Sequence, residues 1–442
     1  MQEASDATKQ DAKGTPSDLA ASSATPGPIV RKTPSAPIRF CHLADCHVGG
    51  WRDPRMRKAN MEAFQKAMTF CRQQAPDFII IAGDLFNTSL PPLDALKDAT
   101  TELRKLRESD IRVYAIAGSH DYSPTGKSIL HVLEEAGLLT NLTKGTIIDG
   151  KLRLKPIQDK SGAWLTGILG RRGMLDKRYY EDLDREPLES LQGYKVFAFH
   201  TALEELKSRD EQHLPAAPVS LLPRAFHYYA GGHVHIVKTE KLPSHGAHAT
   251  IAYPGPTFPN NFSELEDVIG GVNVVTWDGT HQEVTWHPIS VYNVHNVKVD
   301  VTNMTPAEAH SAIQNQLHTE LIRTIVTIRL RGKLQSGSIA DIALNDIMQE
   351  CYADGAHFVM RNTSGMQQDD EEQMSIAPGV PDVEQAVIKE HLEQGRRAGL
   401  DWDTKQILAL MDALAVSRNE GETVSDFEAR MNAAARQLLE QP

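Results

Sequence analysis

Five places in the chain carry side chains able to bind divalent cations. They are Asp45-Cys46-His47, Gly83-Asp84, Gly118-Ser119-His120-Asp121, His200 and Gly231-Gly232-His233-Val234-His235. A mixed histidine and aspartate set suits Mn²⁺, Fe²⁺ or Zn²⁺. Two ions about 3.5–4 Å apart need a ligand with two oxygens between them, which one carboxylate can supply. Asp84 is the natural bridge. On an extended segment, side chains at i and i+2 point the same way, so Asp45 and His47 can hold one ion together. His233 and His235 have the same spacing and can take one ion each. Ser119, His120 and Asp121 carry the three letters of a hydrolase triad. Adjacent side chains cannot line up as nucleophile, base and orienter, so a triad is excluded there.

These groups need a frame, and the chain around them alternates strand and helix. The apolar runs "IRFCHLA", "DFIIIAG", "VYAIAG", "KVFAFH" and "FHYYAGG" read as buried strands, each running into a polar or glycine-rich loop. Helices are predicted over 57–74 and 96–109. In the first, Met61, Phe64, Met68 and Cys71 form a core-facing stripe at helical spacing. The alternation predicts a layered α/β domain from residue 38 to residue 292, with ligands gathered at the carboxyl ends of its strands. From residue 293 to residue 364 the rhythm shortens to a βαβαβ module. Its first helix is announced by the capping box Thr305-Pro306-Ala307-Glu308, and its second is predicted from about Ile339 to Tyr352. Residues 1–37 lack periodicity and read as a disordered tail, 365–381 as a linker, and 382–442 as a helical segment.

Composition narrows the function. Hydrophobic residues make up 40% of the 442-residue chain and charged residues 24%, as in globular proteins. No apolar run approaches the roughly 20 residues that span a bilayer, so no membrane partner is expected. Four cysteines without a CxxC pair make neither a disulfide framework nor a structural zinc site, and point to a reducing compartment. The net charge is −12. Residues 365–442 hold 16 Asp/Glu against 7 Lys/Arg, leaving the rest of the chain close to neutral. Gly126-Lys127-Ser128 resembles the end of a phosphate-binding loop. Asp121 stands where that loop needs a glycine, which excludes it.

Each piece of the constellation has an ordinary reading alone. Asp-x-His can be a solvated loop, Gly-Asp a turn and His200 a satisfied core histidine. Five such pieces in order, each at a strand end, single out a metal site. "LADCHVGG", "IAGDLFN", "AGSHD", "FHT" and "GGHVH" in this order resemble the calcineurin-like metallophosphoesterase superfamily. With "YPGP" at 253–256 and the small module, they are similar to its DNA double-strand-break-repair exonuclease branch. That resemblance implies a four-layer α-β-β-α sandwich with a capping, DNA-binding domain. It implies two divalent ions, expected to be Mn²⁺. Asp45, His47, Asp84 and His235 would hold the first. Asp84, His200, His233 and the residue at 119 would hold the second. This chain has Ser119 where the family has asparagine, a shorter reach to the second ion. His120 would stabilise the transition state and help protonate the leaving oxygen. Asp121 would orient it, and the nucleophile would be a metal-bound hydroxide.

The implied substrate is DNA ends, handled in the cytoplasm at the nucleoid. Arg52, Arg55, Arg57, Arg171, Arg172, Arg329 and Arg331 are the candidate DNA contacts, and Arg323 shares a strand face with the last two. Alternation turns Cys46 away from the metals, as a packed small residue. The C-terminal segment has amphipathic spacing, including Ile407, Leu408 and Met411, then Phe427, Met431 and Leu438. The resemblance assigns it to docking on a coiled-coil, SMC-like ATPase. It also implies a homodimer. The competing expectations are a phosphatase or phosphodiesterase acting on small substrates, and a non-catalytic scaffold of a repair complex.

Overall fold

The computed structural model describes residues 37–123, 128–171, 175–207, 216–317 and 320–367, with scattered positions between Lys405 and Arg436, among them 430–434. The tail read at 1–37 lies outside these residues except for Pro37, as do Arg172, Gly126-Lys127, most of the linker and nearly all of the C-terminal segment.

The chain opens with β1 (Ile38–Leu43), α1 (Pro54–Gln73), β2 (Phe78–Ala82), α2 (Leu93–Glu108), β3 (Arg112–Ile116), α3 (Ile129–Glu135) and β4 (Thr140–Asn141). A hairpin, β5 (Gly145–Ile148) and β6 (Lys151–Leu154), leads to β7 (Ile157–Gln158), β8 (Trp164–Gly167), α4 (Lys177–Glu181) and α5 (Glu186–Glu189). Then come β9 (Lys195–His200), β10 (Tyr228–Gly232), β11 (Val237–Lys241), β12 (Thr250–Pro254), α6 (Phe262–Asp267), β13 (Gly271–Trp277) and β14 (Gln282–Pro288). The final run is β15 (Asn293–Asp300), α7 (Pro306–Gln316), β16 (Thr324–Lys333), α8 (Leu344–Ala353) and β17 (Phe358–Gln367).

These elements make a mixed α/β fold. One six-stranded sheet runs β14-β13-β1-β2-β3-β4, a second runs β11-β12-β10-β9-β8-β7, and a three-stranded sheet runs β15-β16-β17. The inner strands β1, β2 and β3 are mutually parallel, as are β8, β9, β10 and β12. The two large sheets meet face to face. Phe40, Phe78, Ile80, Tyr114 and Ile116 of the first pack against Leu165, Val196, Ala198, Tyr228 and Ala230 of the second. On the far side of the first sheet, Ile79, Ile81 and Val113 pack with Phe64 and Met68 of α1 and Leu103 and Leu106 of α2. On the far side of the second, Phe197, Phe199, Tyr229 and Tyr253 pack with Tyr180 and Leu188. Strands buried on both faces are continuous in apolar residues rather than alternating, which is why the five runs are so plain in the sequence. Each fully buried Phe or Ile side chain contributes roughly 1.5–3 kcal/mol.

A polar seam crosses the inter-sheet core. Asn273 donates to the Tyr228 hydroxyl at 3.4 Å, leaving that hydroxyl's proton for His42 Nδ1 at 2.9 Å. Burial pushes the His42 imidazole down to about 3, so it stays neutral.

Helix α1 begins three residues before its predicted start. Asp53 caps it by accepting from the Arg55 amide at 2.8 Å, and Pro54 takes the first turn. The second helix of the small module is also revised. A 3₁₀ turn covers Ile339–Ile342, Ala343 takes a left-handed conformation at φ 57°, and α8 follows. Helix α7 starts at the expected capping box, with Thr305 and Glu308 bonded reciprocally. Strand β17 continues to Gln367, three residues into the stretch read as linker.

Residues up to Gln367 belong to one compact unit, and residues 368–442 are separated as a second. In the second, the Arg430 guanidinium lies 5.4 Å from the Phe427 ring. Among the described residues, no helix is long and apolar enough to cross a membrane. All four cysteines are free and buried.

Candidate metal centre

The predicted site loops leave the carboxyl ends of β1, β2, β3, β9 and β10, so both large sheets contribute. The loops after β1 and β2 are laced together. The Asp45 amide donates to Gly83 O at 3.1 Å, His47 to Asp84 O at 2.9 Å and Val48 to Leu85 O at 2.9 Å. The extended geometry expected for Asp45 and His47 is not what brings them together. Both have left-handed backbones, φ 51° and 43°, as do Asp84 at 50°, His233 at 98° and His235 at 49°. Such conformations cost on the order of 1–3 kcal/mol each and persist where surrounding bonds over-determine them. The laced amides do that for Asp45, His47 and Asp84. Cys46, between the two left-handed residues, is fully buried in the core as expected.

The donor atoms converge. Asp45, His47 and His235 offer ligand atoms within 4.8 Å of one another, as do Asp45, Asp84 and His200, and also His47, Asp84 and His120. His47 Nε2 and His235 Nε2 are 3.0 Å apart. His235 Nε2 is 3.7 Å from Asp45 Oδ1, and His200 Nε2 is 3.2 Å from Asp84 Oδ2. The far nitrogens are tied down. His200 Nδ1 bonds Ala82 O at 2.8 Å and His235 Nδ1 bonds Glu264 Oε1 at 2.9 Å. With their protons held on Nδ1, both rings turn the Nε2 lone pair to the centre, as metal-binding histidines do. His200 Nε2 is buried without a hydrogen-bond partner. The residues present therefore fit divalent cations. His233 and Ser119 stand at the margin. The His233 ring lies 5.1 Å from that of His200, and its amide donates to both Asp45 oxygens at 3.0 Å. Ser119 Oγ lies 3.4 Å from Asp84 Oδ2.

Two glycines let the loops close. A Cβ on Gly118 would lie 2.2 Å from Asp84 Oδ1, and one on Gly83 would lie 2.2 Å from His200 Nδ1.

His120 and Asp121 need a correction. His120 Nδ1 bonds Asn87 O at 2.7 Å, and no bond joins it to Asp121. Asp121 is fully buried and accepts from the Leu85, Phe86 and Gly118 amides at 3.0, 2.9 and 3.2 Å. It clamps the loop after β2 to the loop after β3. The carbonyl of Asn87 is what orients His120. His120 and Ser119 open on a cleft of about 410 Å³ lined also by Asn87, Thr88, Tyr122, Arg171 and Leu175.

Residues 38–237 match the calcineurin-like phosphoesterase family. This stretch, a little under half of the chain, is similar to a calcineurin-like phosphoesterase domain. The chain is similar to proteins named "DNA double-strand break repair protein Mre11" in several archaea. It is 29% identical to that of Archaeoglobus fulgidus, over 52% of this chain and 53% of the relative. To that of Methanopyrus kandleri it is 29% identical over 53% of this chain and 51% of the relative. To that of Methanococcus maripaludis it is 27% identical, over 52% and 60%. The chain thus spans a little over half the length of these relatives.

Electrostatics around the candidate metal centre favour a cation. Burial pushes Asp45 up, leaving a carboxylate short of positive charge. Burial works against ionised Asp84 too, but the positive charge of His200 outweighs it and holds the carboxyl well below its usual range. Burial alone would lower His200. Asp84 and Asp45 outweigh burial and hold its imidazole well above the ordinary value. Burial pushes His47 down to about 3 and His233 down to about 4, so both are neutral and ready to ligate. At pH 7 the metal-free domain therefore keeps a proton on His200, in the place of a cation. Binding of a divalent cation is expected to expel it, so apparent affinity rises with pH. Calorimetry in buffers of different ionisation enthalpy at pH 7 should read a release of about one proton or more per chain.

The predicted DNA contacts divide. Arg171 lies on the cleft wall, 4.7 Å from the Tyr122 ring, beside His120. Arg52 and Arg331 are exposed, while Arg57 donates to Trp51 O and Arg52 O at 3.4 Å. Arg55 lies 4.8 and 4.9 Å from the rings of Tyr352 and Phe358 and pairs with Asp53. Arg329 is corrected. It grips Glu266 with Nε at 3.0 Å and Nη2 at 2.6 Å and is 15% exposed, so it is an internal clamp. A bulge between Arg329 and Arg331 separates the two. Arg323 precedes the strand and donates to Val291 O at 2.8 Å. Glu264, Asn87 and Ala82, which orient the three histidines, were missed. Only Glu264 has a sequence signal. Asn261 accepts from the Glu264 amide at 3.0 Å as a helix cap, the Asn-x-x-Glu pattern of a helix start.

Proposed function

We propose that this chain is a metal-dependent DNA nuclease that processes DNA ends in double-strand-break repair. The carrying observation is the donor set built across two sheets, with Nε2 of His47 and His235 only 3.0 Å apart beside Asp45. Similarity to the archaeal Mre11 proteins supports DNA as the substrate. In this reading Asp45, His47, Asp84 and His235 hold one ion. Asp84, His200 and His233 hold a second, with Ser119 beside them. Mn²⁺ is the proposed metal. Bound ions would activate water and neutralise phosphate charge. His120, held by the Asn87 carbonyl, faces the cleft where it can donate to the leaving oxygen. Arg171 is placed to contact a phosphate.

Four finer assignments go with this reading. The body is a four-layer α-β-β-α sandwich over 38–292, and 293–364 is a capping domain. Residues 382–442 dock on a coiled-coil ATPase. The chain works in the cytoplasm at the nucleoid. It is a homodimer, for which Leu93 of α2 and Val132 of α3, 83% and 58% exposed, offer apolar surface.

The test incubates the full chain with Mn²⁺ and either end-labelled duplex DNA or bis-p-nitrophenyl phosphate. Hydrolysis of both is expected. A small ester cleaved beside intact duplex would leave a phosphodiesterase but not a nuclease. Neither cleaved, with metal bound, would leave a scaffold.

A further inference from the structure

We infer that Glu264 positions the metal ligand His235, and that helix α6 ties this ligand to the three-stranded sheet through Glu266 and Arg329. The inference rests on reading Asp45, His47 and His235 as the ligands of one ion.

Both oxygens of Glu264 are engaged. Oε1 takes the His235 Nδ1 proton at 2.9 Å and also accepts from Asn261 Nδ2, while Oε2 accepts from the Asn260 amide at 2.7 Å. A carboxylate held so firmly fixes both the tautomer and the plane of the ring it touches. That plane sets Nε2 at 3.0 Å from His47 Nε2 and 3.7 Å from Asp45 Oδ1.

Two residues further along the same short helix, Glu266 faces away from the metal centre and into the small sheet. Its carboxylate receives a bidentate grip from Arg329 of β16, and Lys298 of β15 lies 3.7 Å away. The Phe262 ring lies 4.9 Å from the Arg329 guanidinium, Ser263 Oγ accepts from Arg329 at 3.3 Å, and Glu266 O accepts from Asn296 at 2.9 Å. Bidentate arginine–carboxylate pairs fix direction as well as distance. Glu266 is 3% exposed, so it cannot swing into water when its partner goes. A helix of six residues has no slack between its third and fifth positions. A shift of the small sheet against α6 therefore moves Glu264, and with it the lone pair of His235. Glu264 and Arg329 are positioning residues, acting on the metal through His235.

The experiment titrates Mn²⁺ into the full, metal-depleted chain and follows free ion by electron paramagnetic resonance. Wild type is expected to bind two ions. Glu264→Ala should weaken one site by roughly 10–100-fold and leave the other unchanged. Glu264→Gln, which keeps an acceptor oxygen but no charge, should weaken the same site by only about 3–10-fold. Arg329→Met should weaken that site by about 3–10-fold as well. Equal affinities in Glu264→Ala and wild type, or equal weakening of both sites, would overturn the positioning role. An unchanged Arg329→Met would overturn the tie through α6. If melting curves show Glu264→Ala unfolded, Glu264→Gln decides, and wild-type binding by it overturns the role. Wild type binding no Mn²⁺ sinks the metal reading itself, an outcome distinct from all of these.

Discussion

Replacing His120 by alanine is expected to lower kcat on a phosphodiester by about 10²–10⁴-fold, the usual contribution of a positioned general acid. Mn²⁺ affinity should stay near wild type. His120 lies within ligand distance of His47 and Asp84, so geometry alone allows it a place on the metal. What separates the roles is its anchor. The Asn87 carbonyl takes Nδ1 at 2.7 Å, and the ring stands edge to face with that of His47 at 4.8 Å, on the wall of the cleft. Steady-state kinetics beside a Mn²⁺ titration decide between them. Loss of rate with both ions retained supports the acid. Loss of an ion makes His120 a ligand. A leaving group of low pKa, which needs no proton, should recover much of the lost rate.

The largest effect is expected at Asp84. Asp84→Asn keeps the shape of the side chain and removes its charge. Asp84 Oδ2 faces His200 Nε2 at 3.2 Å and His47 Nε2 at 3.8 Å, and Oδ1 accepts the His120 amide at 2.7 Å. One substitution thus touches both proposed ions and the backbone of the proposed acid. Losing several kcal/mol of transition-state stabilisation corresponds to at least about 10³-fold in rate. We expect kcat/KM to fall by that factor and both Mn²⁺ sites to weaken together. Weakening of one site alone would refute Asp84 as the shared ligand. The His120 amide also loses a charged acceptor, so the loop after β3 should exchange its amide hydrogens faster.

Much of this is legible in the sequence. Strands buried on both faces announce themselves as apolar runs, and polar residues that end such runs gather at one edge of a parallel sheet. That logic brought Asp45, His47, Asp84, His200 and His235 together from positions up to 190 residues apart. What it missed has one physical cause. The partner of a side chain depends on which loop crosses above it, and no local pattern reports that. Asp121 follows His120 in the chain, yet the loop after β2 lies across it and takes its carboxylate with backbone amides. Arg329 looked like a free cation on a strand face until α6 covered it with Glu266. Asp45 and His47 do lie in one donor cluster, but not through the alternation rule. It assumes extended backbone, and both residues are left-handed.

The candidate metal centre gathers its side chains from two sheets that also share a core and the polar seam. Asp45, His47 and Asp84 stand on one side, and His200, His233 and His235 on the other. An ion held between them works as a clasp. Anything that binds the closed arrangement alone adds to its cohesion by mass action, about 2.7 kcal/mol when the free ion is at 100 times its Kd. The neutral seam of His42, Tyr228 and Asn273 offers no such gain, since it responds to nothing dissolved in the cell. Metal supply therefore reaches the endurance of the whole body as well as its chemistry. On the proposed reading, a chain without its ion is expected to melt at a lower temperature as well as to lose activity.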